Sequence, residues 1–112
     1  MDSKIKTWLY DILKAISEVE SYFIDTPKDF FTYQADMKTK RAVERNIEII
    51  GEAMNRILIE DEFLPISNPR KMVGMRNRII HGYENVSDEL IWGVVSKHLP
   101  ILKREIEQLL HE

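Results

Sequence analysis

The 112-residue chain contains no cysteine. This absence excludes disulfides, zinc–thiolate sites and a cysteine nucleophile, and it is compatible with a reducing compartment. The chain also lacks an apolar run near the roughly 20 residues that a membrane-spanning helix needs. Its first residues lead into charged, amphipathic sequence instead of an apolar signal core. We therefore predict a cytoplasmic protein with one domain over residues 1–112 and no membrane partner.

Acidic residues are missing from one long stretch. Residues 63–83 contain no Asp or Glu but include Arg70, Lys71, Arg76 and Arg78. The rest of the chain carries the other 12 of the 16 basic residues and all 19 acidic ones, so that its net charge is −7 against −3 for the whole chain. A locally positive segment on an acidic body can meet a phosphate, although chance clustering in a short chain would look the same.

The chain has no segment in which apolar and polar residues alternate for long enough to predict a strand. Apolar residues recur instead at spacings of three and four, which is typical of amphipathic helices. The first row consists of Ile5, Trp8, Leu9, Ile12, Ile16, Val19 and Phe23. The second, in a helix predicted from about Asp36 to Ile59, consists of Val43, Ile47, Ile50, Met54 and Ile57. Gly51 lies inside this helix, where only a close approach of another helix would justify it.

A third helix is predicted to begin at Asn68-Pro69, because Asn is a good cap and Pro fits the first helical position. It should run to about His81, with Gly82 as its C-terminal stop.

A fourth helix should begin after Ser87 and be kinked or restarted at Pro100. Pro27 marks the end of the first helix or the turn after it, and residues 29–33 should form a short helical turn that places aromatic side chains under the bundle. The prediction is an all-α, up-and-down bundle of four main helices.

The segment Gly74–Tyr83 is more polar than a buried helix should be. On a helix that turns about 100° per residue, Asn77 and His81 lie together and Arg76 lies beside them. Tyr83 follows the predicted helix end. An arginine, an amide, a histidine and a phenol should thus converge near one helix terminus.

These side chains suit metal-independent cleavage of RNA. A histidine exchanges protons near neutral pH and could act on a ribose 2′-hydroxyl or on the leaving 5′-oxygen. An arginine can hold the phosphate and offset its growing charge. We predict Arg76 and His81 as catalytic residues, supported by Asn77 and Arg78. From the residues alone, a structural pair in which His81 caps the helix is the better explanation, and Asn77 either binds substrate or orients His81.

Arg76, His81 and Tyr83 form an Arg-x4-His-x-Tyr motif. The motif with its surroundings resembles the signature of the HepT branch of the HEPN superfamily. Two further stretches match: residues 45–53 in the second helix, and residues 88–92 followed by Leu99-Pro100. The resemblance covers nearly the whole chain in the right order, and the three stretches together are specific where the Arg-x4-His spacing alone would be weak.

This resemblance implies a homodimeric HEPN domain that acts as an endoribonuclease toxin of a toxin–antitoxin pair. It implies that Arg76 and His81 act at the dimer cleft. It also implies that an MNT-type nucleotidyltransferase antitoxin silences the toxin by adding AMP to Tyr83. The substrate would be RNA, with tRNA and mRNA both open, and no cofactor is expected. The alternative is a catalytically weak HEPN binding module that serves as the dimeric partner of a nucleotidyltransferase.

Two other sets of polar residues lie outside the motif. Arg45, Glu48 and Glu52 in the second helix most simply form a solvated ion-pair face, which we favour over a catalytic role. The second possibility is that they orient the motif helix. The Glu-x-x-His pattern of di-metal bundles is absent, and His98 and His111 stand apart in the sequence, so no metal site is predicted.

Overall fold

The structure is a computed structural model that describes residues 1–82 and 86–111. Its elements are α1 (Ser3–Ser21), α2 (Phe30–Ala35), α3 (Met37–Glu60), α4 (Arg70–Ile80), α5 (Asp88–Gly93), a π-helical segment (Val94–His98) and α6 (Leu99–His111). No strand occurs in this part of the chain, which confirms the all-α prediction. Nor is any of these helices long and apolar enough to cross a membrane.

Helix α3 lies at the centre of the bundle and packs mainly against α1 and α4. Its predicted apolar row, which consists of Val43, Ile47, Ile50, Met54 and Ile57, is completely buried. The first predicted row is buried as well, except that Trp8 on α1 and Phe23, just beyond the end of α1, are half-buried. Helix α6 closes the bundle against α1. The three/four spacing therefore identified the faces that form the core.

The short turn predicted at residues 29–33 is helix α2, which Asp29 caps by accepting a hydrogen bond from the Thr32 N–H at 3.0 Å. Its Tyr33 is fully buried and lies against Trp92, with ring centroids 5.1 Å apart. Burial raises the pKa of the Tyr33 hydroxyl, and the nearby Asp88 and Glu44 carboxylates raise it further. Aromatic packing thus ties α2 to α5.

The start of α4 differs from the prediction. Asn68 does not cap the helix with its side chain; it adopts a left-handed conformation with φ +48°, and Pro69 occupies the cap position. Asn tolerates this conformation better than most residues, and here it turns the chain into the helix. The Asn68 carbonyl oxygen accepts a hydrogen bond from the Lys71 N–H at 3.2 Å. The cap prediction was therefore wrong, although the helix begins where the sequence indicated.

The last helix is interrupted immediately before Pro100. The Leu99 N–H donates to the Val94 carbonyl, five residues back, and the π-helical segment ends there. A proline removes one backbone donor and its ring crowds the carbonyl four residues earlier, so a wider turn ahead of it relieves the conflict. The beginning of this helix is as predicted, because the Ser87 hydroxyl accepts a hydrogen bond from the Leu90 N–H at 3.1 Å.

Gly51 marks the closest approach of α3 and α4. A Cβ at this position would lie 2.6 Å from the Met72 carbonyl oxygen and would collide with the Arg76 Cβ. Any side chain here would force the two helices apart. The prediction that a close helix contact explains Gly51 is confirmed, and the contact places the motif arginine against α3.

Candidate active site

The second half of α4 has a buried side and an exposed side. Met72 and Met75 are buried in the core, whereas Asn77 and His81 are exposed. The helical spacing of about 100° per residue puts these two polar residues opposite the methionines. The structure therefore presents the predicted amide and imidazole together on the outer surface of one helix end.

Arg76 lies between these two sides and is half-buried. Its Nη2 is 2.7 Å from Oε2 of Glu52, a residue of α3. Its Nη1 donates to Oδ1 of Asn77 at 3.1 Å. The guanidinium is consequently held from two directions, once by the neighbouring helix and once by its own.

His81 is the C-terminal cap of α4. Its backbone N–H donates to the Asn77 carbonyl at 3.1 Å, and Gly82 follows with φ +63°. That conformation favours glycine, so the predicted stop at Gly82 is confirmed. A histidine at this position also faces the negative end of the helix dipole. Tyr83, the predicted modification residue, lies outside the described residues.

Arg78 projects on the other side of the same helix end. It lines a hollow of about 260 Å³ together with Arg41, Glu44 and Gly82. Arg41 is paired with Glu44 in that hollow, with Nη1 3.0 Å from each carboxylate oxygen. Arg78 is therefore near the motif but is not part of the Arg76 contact.

A groove of about 510 Å³ runs between α1, α3 and α4. Its apolar lining includes Trp8, Ile49 and Ile80, and Arg76 contributes a cation from α4. The charged lining is balanced, with the acids Asp11, Glu18, Glu48 and Glu52 and the bases Lys14, Arg45, Arg56 and Arg76. One side of the proposed site thus opens onto a large concave surface.

The charged face of α3 divides into two kinds of contact. Arg45 and Glu48 pair with each other within the helix, with Nη1 of Arg45 3.2 Å from Oε2 of Glu48. This agrees with the predicted ion-pair face. Glu52 instead reaches Arg76 on α4, although it also pairs with Arg56 at 3.2 Å. For Glu52 the second possibility fits the structure better, because its side chain contacts the motif helix. The sequence did contain one indication of this contact, because Glu52 directly follows Gly51, where a close approach of another helix was predicted.

His98 lies away from the motif, in the π-helical segment, and is half-buried. Burial lowers the pKa of its imidazole, the Lys71 ammonium lowers it further, and Glu105 acts in the opposite direction. Within residues 1–82 and 86–111 there is no group of three or more His, Asp and Glu side chains that could hold a metal ion.

Comparison with known proteins connects this arrangement to a family. The family model described as "Ribonuclease HepT-like" matches residues 12–109. A relative from Thermococcus cleftensis named "Probable ribonuclease HepT" is 36% identical, and the match covers 93% of this chain and 94% of the relative. Two proteins of Methanocaldococcus jannaschii named as candidate RNases are 35% and 31% identical, with 92% and 96% of this chain covered and 94% and 88% of their own lengths.

No solved structure matches the chain. The family match nevertheless begins inside α1 and includes the whole of α3 and α4, with the charged face of α3 and the motif at the end of α4. The chain belongs to the HepT-like ribonuclease family of the HEPN superfamily.

Proposed function

We propose that this protein is an endoribonuclease toxin that cleaves RNA without a metal ion, using Arg76 and His81. The observation that carries the proposal is the state of Arg76, which is half-buried and held by Glu52 at 2.7 Å beside the exposed Asn77 and His81. Family membership supports the same activity, because relatives that align with almost the whole chain are named as candidate RNases.

The chemistry requires two groups of different kind. The His81 imidazole exchanges a proton, either with the attacking ribose 2′-hydroxyl or with the leaving 5′-oxygen. The Arg76 guanidinium offsets the charge that develops on the phosphate when the 2′-oxygen attacks phosphorus and the P–O5′ bond breaks. Arg76 can do this because its guanidinium already has a fixed orientation before RNA arrives. No metal ion is needed for either step.

In the proposed assembly two chains pair around a two-fold axis, so that two copies of Arg76 and His81 face one cleft. Each copy then supplies one proton-exchanging group, and the cleft provides room for a single RNA strand. A cognate MNT-type nucleotidyltransferase completes the system as antitoxin. It transfers the AMP group of ATP to the Tyr83 hydroxyl oxygen, with release of pyrophosphate. Tyr83 follows His81 by two residues, and the added group blocks the cleft.

The direct test is incubation of purified, unmodified protein with total RNA and with tRNA in the presence of EDTA. The proposal requires cleavage that persists after chelation and that is lost in His81→Ala. Cleavage that disappears with EDTA would contradict the metal-free mechanism. If the unmodified dimer cleaves no RNA yet still binds the nucleotidyltransferase, the protein is instead a HEPN binding module.

A further inference from the structure

We propose that Glu52 is the positioning residue for Arg76 and that the dipeptide Gly51-Glu52 forms a cradle for this arginine side chain. Gly51 leaves room for the aliphatic part, and the Glu52 carboxylate fixes the guanidinium where it meets an RNA phosphate. The inference rests on the proposed ribonuclease function. It assigns to α3 a role in a reaction whose proposed catalytic residues, Arg76 and His81, lie at the C-terminal end of α4.

The Glu52–Arg76 ion pair differs from the three ion pairs that α3 makes along its own surface. Arg41 with Glu44, Arg45 with Glu48, and Arg56 with Glu52 all join residues three or four apart on one helix surface. The pair between Glu52 and Arg76 joins two helices, is shorter at 2.7 Å, and leaves only 28% of the Arg76 side chain exposed. Solvent therefore screens this contact less than it screens those three pairs, in which the arginine side chains are 55–70% exposed.

Gly51 provides the space through which Arg76 reaches Glu52. A Cβ built on Gly51 would overlap the Arg76 Cβ and lie 3.3 Å from the Arg76 Cδ. The aliphatic part of Arg76 therefore passes directly over the glycine, and its charged end meets the next residue of α3. A single turn of one helix thus contacts the whole length of the arginine side chain.

This arrangement leaves Arg76 able to bind an anion. Nη2 faces Glu52, and Nη1 donates one hydrogen bond to Asn77. A guanidinium carries further N–H groups in a rigid plane, and these remain to donate to a phosphate. Because the side chain is already ordered, binding costs less conformational entropy and the charge needs no rearrangement during the reaction. Glu52 acts through Arg76 and does not itself contact RNA.

A double-mutant cycle separates this role from an independent one. The parent, Glu52→Ala, Arg76→Ala and the double variant are compared on a short RNA that contains a cleavage position mapped in the total-RNA digest. We expect Glu52→Ala to lower kcat by about 10–100-fold with little change in KM, since a displaced catalytic group loses rate of this order. In the Arg76→Ala background the same substitution should have no further effect. Glu52→Asp should recover part of the lost kcat.

The chain offers a matched control. Glu20 on α1 pairs with Lys103 on α6 at 3.0 Å, so it also joins two helices and is similarly exposed, but it lies away from α4. Glu20→Ala should leave kcat and KM at the parent values. Circular dichroism and thermal unfolding of every variant confirm that the comparison is made between folded proteins. If Glu52→Ala does not fold, Glu52→Gln replaces it in the double-mutant cycle. Glutamine keeps the size of the side chain and one oxygen acceptor but removes the negative charge.

Two results would overturn the inference: a kcat that Glu52→Ala leaves unchanged, or an equal further loss when it is combined with Arg76→Ala. Either result leaves the ribonuclease proposal intact, provided that cleavage still requires Arg76. Cleavage by the parent that does not require Arg76 would instead refute the proposed mechanism itself. The cycle therefore distinguishes failure of the positioning role from failure of the function.

Discussion

Gly51 faces Arg76 so closely that a methyl group at residue 51 would overlap the arginine Cβ. The other obstacle is the backbone carbonyl of Met72, 2.6 Å from the same point, which cannot move without shifting α4. One glycine in a buried helix thus determines the spacing of α3 and α4, and with it the place of the motif arginine.

Gly51→Ala should therefore destabilise the protein even though alanine is the better helix former. Forcing a methyl group into a filled contact costs about 1–3 kcal/mol, which exceeds the propensity gain of about 1 kcal/mol. Urea denaturation measures the change. Gly93, which has open space where its Cβ would be, is the control: Gly93→Ala should be neutral or stabilising. Equal effects at the two glycines would contradict the close contact.

His81→Ala should lower the RNA cleavage rate by about 10²–10⁴-fold, because it removes the proton-exchanging group. Arg76→Ala should cause a loss of similar order by removing charge stabilisation from the phosphate. Single-turnover cleavage with EDTA present gives both values. His81 lies exposed at a helix end, so His81→Ala should unfold at nearly the parent temperature. Undiminished cleavage by His81→Ala would rule out the mechanism.

Acid should weaken the fold through His98. The pKa of its imidazole is lowered in the folded state, mainly by burial, so the unfolded chain binds a proton more readily. Stability from this residue is therefore present above the ordinary pKa of about 6.5 and is lost as the pH falls below it. Urea denaturation from about pH 7.5 to about pH 5 should show a smaller decline for His98→Gln than for the parent. His111 is exposed, so His111→Gln is the control and should show the same decline in stability as the parent. If His98→Gln also declines as much as the parent, His98 is not the cause.

The protein should sediment as a dimer at micromolar concentration. Large apolar side chains remain exposed on the single chain. One of them is Ile80, which is 48% exposed and lines the groove together with Arg76. A proposed cleft with two motif copies requires a second chain. Analytical ultracentrifugation of active protein provides the mass. A monomer that retains full cleavage activity would contradict the assembly.

Co-expression with the proposed cognate MNT-type nucleotidyltransferase should add one or more AMP units to Tyr83. The modification would add a bulky base and a negative phosphodiester two residues after His81 in the chain, and this charge could pair with Arg76 or Arg78. Intact mass spectrometry and peptide mapping locate the addition. Tyr83→Phe should escape silencing and retain part of its cleavage activity. If the AMP maps to another residue, or if Tyr83→Phe is silenced as fully as the parent, the regulatory proposal fails.

Much of this fold follows from the sequence, because the features that specify it are local. The Val43–Ile57 row identifies the buried face of α3 through its spacing alone, and Ser87 and Gly82 mark helix boundaries through hydrogen bonding and backbone conformation within a few residues. The motif on α4 is local in the same sense, since Arg76 and His81 are five residues apart on one helix end.

The tertiary structure decided what lies opposite that motif. Glu52 looks in the sequence like one more member of a solvated charged face, because Glu48 and Arg56 lie four residues before and after it on α3. Its contact with Arg76 exists only once α4 packs over Gly51, which brings together residues 24 positions apart in the chain. Asn68 is a second example. Its residue type predicted a side-chain cap, but in the folded chain Asn68 adopts a left-handed conformation at the point where the chain enters α4. Contacts between distant residues depend on how whole helices pack, and periodicity along one helix carries no information about them.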